Sequence, residues 1–153
     1  MLYLTTPTKI DFKEWTNMRH ELWCYHMKFV LRSEMKEIYK QFEAGTRMVY
    51  LAKDDTRYAG FIELSLRKNA VSCTTSPVGF IEGWFVRDEY RGKGVGKLLV
   101  QAGEEWAKHM GCTEMASDTT TRYFPLSPAA HKALGYEVVL QEYKTNHYFY
   151  KKL

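Results

Sequence analysis

The sequence predicts a mixed α/β fold, and three observations carry that reading. Strand-period and helix-period apolar patterns alternate along the chain. Val78-Gly79-Phe80-Ile81-Glu82-Gly83-Trp84-Phe85-Val86 is a nearly continuous apolar run of strand length, as expected of a central strand buried on both faces. A glycine-rich basic loop, Arg91-Gly92-Lys93-Gly94-Val95-Gly96, then opens a segment whose apolar residues recur at helical spacing.

The elements follow in order. Leu2 to Leu4 reads as a short first strand. Asp11 stands where an N-cap is expected, with Glu14 three residues on as its capping-box partner. Trp15, Met18 and Leu22 then extend a helix to about Trp23. A second helix is predicted from Ser33 through Met35, Ile38, Tyr39 and Phe42, with Gly45 just past its end. Met48 to Ala52 is a strand, Asp54-Asp55 a turn, and Tyr58 to Leu66 the return strand. A polar loop, Lys68 to Ser76, precedes the central run. After the glycine-rich loop, Val95, Leu98, Leu99, Ala102 and Trp106 make one apolar helix face, and Gly111 ends that helix. Cys112 to Ser117 predicts another strand. Ser127-Pro128 has the pattern of a cap followed by proline in the first turn, starting a short helix to Leu134-Gly135. Tyr136 to Tyr143 and His147 to Tyr150 close the chain as a hairpin.

Length and composition bound the function. The 153 residues suit one domain, and no repeat or linker-like tract divides residues 1–153. No stretch reaches the roughly 18 apolar residues of a membrane span, and the first residues lack the pattern of a secretory signal. No membrane association and a cytoplasmic location are therefore expected. Three cysteines without a C-x-x-C spacing argue against a disulfide framework or zinc site, and no metal is expected. The net charge of +4 comes from scattered basic residues rather than a stripe, so no nucleic-acid partner is expected. That excess suits a small anionic ligand.

The most informative feature is the passage from buried strand through glycine-rich loop to helix. A helix N-terminus leaves about four backbone N–H groups without partners and carries a partial positive charge. Glycines let a ligand approach the backbone closely, and Arg91, Lys93 and Lys97 add positive potential. Together these predict a pyrophosphate cradle. The loop is neither G-x-x-x-x-G-K-[ST] nor the dinucleotide-binding G-x-G-x-x-G with its later acid.

The segment Val86 to Gly96 resembles the [QR]-x-x-G-x-[GA] motif of the GNAT superfamily of N-acetyltransferases, with Arg91, Gly94 and Gly96 at its fixed positions. The resemblance implies a GNAT fold, a central, mostly antiparallel mixed sheet of about seven strands flanked by about four helices. It implies acetyl-CoA as co-substrate, held by Arg91, Gly92, Lys93, Gly94, Val95, Gly96 and Lys97. The backbone of Trp84, Phe85 and Val86, at a bulged strand end, would meet the pantetheine arm and the thioester.

A narrower match covers about Arg19 to Lys152. Ser76-Pro77-Val78-Gly79-Phe80-Ile81-Glu82-Gly83, Glu105-Trp106-Ala107-Lys108, Cys112-Thr113-Glu114-Met115-Ala116-Ser117-Asp118 and His131-Lys132-Ala133-Leu134-Gly135-Tyr136 are similar to aminoglycoside 6′-N-acetyltransferases. Arg19-His20-Glu21-Leu22-Trp23 resembles the R-x-x-L-W of that family's first helix. The resemblance implies that Trp23, Glu82, Asp118 and Glu142 contact the amine substrate, and that the enzyme is a homodimer joined through its C-terminal strands. Two differences stand out, one of them Phe124, which aligns across a one-residue insertion with an asparagine that touches the cofactor in the family. The family also carries a substrate-contacting tyrosine where this chain has Lys68-Asn69-Ala70-Val71-Ser72. Other readings are a GNAT enzyme acting on a polyamine, a small amine or a protein N-terminus, or a silent acyl-CoA-binding module.

The chemistry asks for the same residue types. Glu82 is an acid inside an apolar strand, which is costly unless it is paired or lines a cavity. Asp118 falls at a strand's C-terminal end, where α/β enzymes place ligand groups. A protonated amine is not nucleophilic, so Glu82 or Asp118 must take its proton. The oxyanion would be met by a backbone N–H at the end of the bulged strand. The thiolate's proton donor, a tyrosine in most of the superfamily, falls by register at His131, and a histidine can donate a proton near neutral pH. No covalent acetyl-enzyme is expected, and Cys112 reads as a packed strand residue.

Overall fold

The computed structural model describes residues 1–153. Seven strands hydrogen-bond in the order β1-β2-β3-β4-β5-β7-β6. They are β1 (Tyr3–Thr5), β2 (Arg47–Lys53), β3 (Tyr58–Arg67), β4 (Val78–Val86), β5 (Glu114–Thr120), β6 (Glu137–Glu142) and β7 (Asn146–Lys152). The helices are α1 (Phe12–Leu22), α2 (Lys28–Glu43), α3 (Val95–His109) and α4 (Ser127–Ala133). β4 and β5 pair in parallel, while β1–β2, β5–β7 and β6–β7 are antiparallel. This is the mixed sheet with four helices expected of the GNAT fold. No helix is long and apolar enough to cross a membrane.

The chain forms two compact units, Met1–Leu64 with Gly83–Gly103, and Ser65–Glu82 with Glu104–Leu153. In the first, Trp15 and Met18 of α1 and Met35 and Ile38 of α2 bury against Val49, Leu51, Phe61 and Phe85. The two faces of β3 receive different helices. Phe61 lies against Trp23, just past the end of α1, whereas Leu64 meets Gly103 of α3 at a distance that leaves no room for a Cβ. In the second unit, Gly79 packs against Ala107 and Met115, and Val78, Phe80 and Ala116 cluster under Ala70 and Cys73.

Several boundaries differ from the sequence reading. α2 begins at Lys28 rather than Ser33, because Leu31 already belongs to the buried stripe of Leu31, Met35 and Ile38. Asp11 sits at the N-cap position of α1 but makes no side-chain cap bond. Its carboxylate accepts instead from the Thr8 N–H (2.7 Å), the Tyr58 hydroxyl (2.6 Å) and Lys53. Burial pushes the Asp11 pKa up, but the Lys53 and Tyr58 contacts outweigh it and hold it below its ordinary value. Glu14, its expected partner, accepts from Asn17 at 2.9 Å and pairs with Arg87 at 3.3 Å. Leu98 is exposed although periodicity puts it on the apolar face of α3, and Val100 is buried.

Strand β4 changes phase. Gly79 faces Ala107 of α3, whereas Gly83, an even step later, would bring a Cβ within 2.7 Å of the Trp23 ring. A regular strand keeps residues an even step apart on one face. The phase shift falls after Glu82, whose side chain meets Ser65 and Arg67. Glu82 and Gly83 thus point to the same side, the signature of a bulge.

Candidate active site

Each unit carries a constellation of its own. In the first unit, Gly92 and Gly94 adopt left-handed conformations (φ +73° and +84°), which a side chain would strain. A Cβ at either would meet no atom within 4 Å, so the space over the loop is open. The Leu98 N–H donates to the Gly94 carbonyl at 3.0 Å, making Gly94 the entry to α3. The N–H groups of the first turn, Val95 to Lys97, are left facing out of the helix end. No acid lies in that turn. Gly96 packs closely, since a Cβ there would crowd the Trp84 ring at 3.1 Å.

The loop's cations are only partly free. Arg91 folds back, its Nε donating to the Val86 carbonyl at 3.0 Å and its guanidinium pairing with Asp88 at 3.1 Å. Lys93 stands 6.0 Å from the Tyr90 ring, and Tyr90 is anchored by donating to Asp54. That bond, followed by the Thr56 and Arg57 amides, holds the Asp54 carboxyl well below the usual range. Phe85 is a core residue through its side chain, 6.0 Å from the Phe61 ring, so only its backbone is available to a ligand. Open glycines, outward N–H groups and a first turn free of acid fit a pyrophosphate.

The second unit holds the acids. Glu82 Oε1 accepts from Ser65 Oγ (2.6 Å), Arg67 Nη2 (2.8 Å) and Arg67 Nε (3.1 Å), while Oε2 accepts from Nη2 at 2.9 Å. The Arg67 guanidinium lies 3.4 Å from the centre of the Phe80 ring. Asp118 is exposed but crowded. Loss of hydration raises its pKa, Arg67 opposes that rise, and Glu82 adds to it. In the β5–β7 register Asp118 stands opposite Tyr148, and Tyr148 stands opposite Leu140 of β6. Strand alternation puts Glu142 on that same face. The Tyr148 phenol is pushed up by Glu142 first, then by lost hydration, then by Asp118. Asp118, Glu82 and Glu142 therefore share one electrostatic neighbourhood.

His131 is not part of it, which corrects the expectation of a proton donor there. Its ring stacks on Phe149 at 3.9 Å and contacts Ser117 Oγ at 2.9 Å, and the residue is only 4% exposed. Ser117 and Asp118 are consecutive on a strand, so they point to opposite faces, and His131 lies on the face away from the acid. Burial lowers its pKa to about 4, so at neutral pH it carries no ionisable proton to give. Trp23 packs in a tilted arrangement against Phe61 (6.2 Å) beneath the Arg19 guanidinium (4.7 Å). Arg19 pairs with Glu63 and Glu34, and Trp15 Nε1 donates to Glu63 at 2.9 Å.

Arg67 and Tyr148 are the residues that sequence reading passed over. A signal for Arg67 was present in the sequence. Ser65 and Arg67 alternate with Leu64 and Leu66, marking a polar face on β3 that matches the single acid of β4.

The family described as Acetyltransferase (GNAT) matches residues 15–136. An aminoglycoside N(6′)-acetyltransferase type 1 of Klebsiella aerogenes is 40% identical over 132 residues, covering 86% of each chain. The crystal structure of the aminoglycoside 6′-N-acetyltransferase AAC(6′)-Ih from Acinetobacter baumannii superposes with a TM-score of 0.82 at 35% identity, covering 92% of this chain and 94% of that one. AAC(6′)-Iy in complex with the bisubstrate analogue CoA-S-monomethyl-acetylneamine superposes with a TM-score of 0.81 at 32% identity, covering 92% and 94%.

Proposed function

The chain belongs to the GNAT acetyltransferase family, and on that premise we propose that it transfers the acetyl group of acetyl-CoA to the 6′-amino group of an aminoglycoside, conferring resistance to it. It acts as a single domain of residues 1–153, without an acetyl-enzyme. The observation that carries the reading is the acidic face of the second unit, where Asp118 has a raised pKa beside Glu82. An ammonium needs carboxylates for recognition and one of them as a base, and a base works best when its pKa lies nearer the working pH. The Gly92–Lys97 turn supports acetyl-CoA as co-substrate by the fit described above.

The chain's own residues divide the work. The N–H groups opening α3 bind the pyrophosphate, and acetyl-CoA bound there supplies the activated acetyl group. Glu82 and Glu142 orient the aminoglycoside through its other amines. Asp118 takes a proton from the acceptor's ammonium and frees the nitrogen lone pair for attack. Backbone N–H groups where β4 changes phase, around Trp84, are the donors proposed for the charge on the acetyl oxygen. A group other than His131 returns a proton to the thiolate.

A thiol-release assay with acetyl-CoA tests this, run across kanamycin, tobramycin, spermidine and a peptide panel. Turnover confined to the amino sugars is the expected result. Turnover only with spermidine or peptides would move the chain to another branch of the family, and none at all would leave it an acyl-CoA-binding module. We place the enzyme in the cytoplasm as a homodimer joined through β6 and β7, where Val138 of β6 and Tyr143 of the turn between them are exposed. Light scattering at micromolar concentration should give twice the 18.0 kDa chain mass.

A further inference from the structure

We infer that Arg67 is a built-in counter-cation of the acidic face and sets how much positive charge the acceptor carries into it. The inference deepens the proposed function and rests on it for the identity of the acceptor. Its basis is the geometry of one side chain. The guanidinium grips Glu82 through both carboxylate oxygens, at 2.8 and 2.9 Å, and its carbon stands over the Phe80 ring at 3.4 Å from the centre. A surface arginine ordinarily wanders. This one is held on two sides, by a bidentate ion pair and by a ring.

The grip has two consequences. Arg67 Nε and Nη2 and Ser65 Oγ already fill most of the acceptor positions of the Glu82 carboxylate. An incoming ammonium must share those oxygens with a cation that cannot be deprotonated. The charge of the group is also reduced. Glu82, Asp118 and Arg67 together carry one net negative charge, where the two acids alone would carry two. Arg67 further acts on Asp118 directly, opposing the rise in its pKa. The reacting amine is thus drawn to Asp118, while every additional ammonium on the acceptor meets the field of a fixed guanidinium. Like charges brought together discriminate against the partner that carries more of them.

Two substitutions pull the charge in opposite directions. Arg67→Gln leaves two carboxylates without their cation, and Glu82→Gln leaves the cation with one carboxylate. The acceptors are a mono-amino, a di-amino and a tetra-amino sugar sharing the reacting 6′-amine. In Arg67→Gln the ratio of kcat/KM for the tetra-amino over the mono-amino sugar should rise about tenfold. In Glu82→Gln it should fall by a similar factor, and Arg67→Lys should stay near wild type, both differences fading in added salt. The acid limb of the kcat/KM–pH profile should move to higher pH in Arg67→Gln, since Asp118 loses the cation that lowers its pKa. A uniform loss across the three sugars in both Arg67 variants, with an unmoved acid limb, would make Arg67 a mere positioner of Glu82 and overturn the inference. Calorimetric affinities for the same sugars without acetyl-CoA separate the two levels. Affinities ordered by charge without turnover would sink the acetyl-transfer reading and keep the inference, and turnover without that ordering would do the reverse.

Discussion

The chain contains two arginine–glutamate pairs anchored on β3, and they are opposites. Arg19 and Glu63 are 3% and 2% exposed, and Trp15 and Glu34 add further hydrogen bonds, leaving only Arg19 Nε without one. Arg67 and Glu82 are 41% and 24% exposed and stand beside Asp118, whose own pKa is raised. The first pair is closed. Its ligands are all protein groups, and its charge is spent inside the first unit. The second is open to solvent on one side and leaves the acidic face with charge to offer. Residue type does not distinguish a structural ion pair from a functional one. What distinguishes them is whether the surrounding groups satisfy every charge.

The comparison breaks most decisively at Arg19. Arg19→Met leaves Glu63 buried without its cation and should cost about 3–5 kcal/mol in urea denaturation, whereas replacing both Arg19 and Glu63 by apolar residues of similar volume should restore most of that. A loss below about 1 kcal/mol would put Arg19 in the same class as the exposed pair.

His131 offers the next largest effect and belongs with the closed groups. Its folded pKa of about 4 lies below the ordinary 6.5, so the unfolded chain binds the proton more readily. The stability this gives is complete above pH 6.5 and is lost as pH falls towards 4, on the order of 3 kcal/mol in all. His131→Gln should flatten that part of the stability–pH curve. An unchanged slope in the variant would assign the loss to other groups.

The smallest effect on the fold and the sharpest on chemistry is expected at Asp118. Asp118→Asn should leave stability within about 0.5 kcal/mol, as for an exposed position. It should lower kcat/KM for aminoglycosides at least tenfold, about 1.4 kcal/mol of transition-state stabilisation. In the unmodified enzyme, kcat/KM should fall with pH along a limb lying above the ordinary aspartate range, because the protonated acid cannot take the amine's proton. Coupled loss of stability and activity in Asp118→Asn would make it another closed group.

Sequence reading succeeded where one residue's identity decides the local structure and struggled where partners from elsewhere decide it. The glycines at 92 and 94 announced the loop because φ near +80° suits glycine and little else. The apolar run announced β4. The start of α2 was missed because Lys28 to Arg32 carries no capping residue, and Leu31 contributes to a buried stripe visible only with its neighbours in place. Asp11 looked like a helix cap, but Lys53 and Tyr58 claim its carboxylate from distant strands. The resemblance points to His131 by register alone. Its environment, set by Phe149 and Ser117, changed what a histidine there can do.

The adjacency of Ser117 and Asp118 ties accuracy of folding to accuracy of the site. One residue of β5 serves the packing face with His131 and Phe149, and the next serves the acidic face. A slip of β5 by one residue would exchange them, driving a carboxylate under the histidine ring and turning a serine towards the substrate. Such a chain could not bury its own interior, so it would be discarded as misfolded before it could act as a poor enzyme.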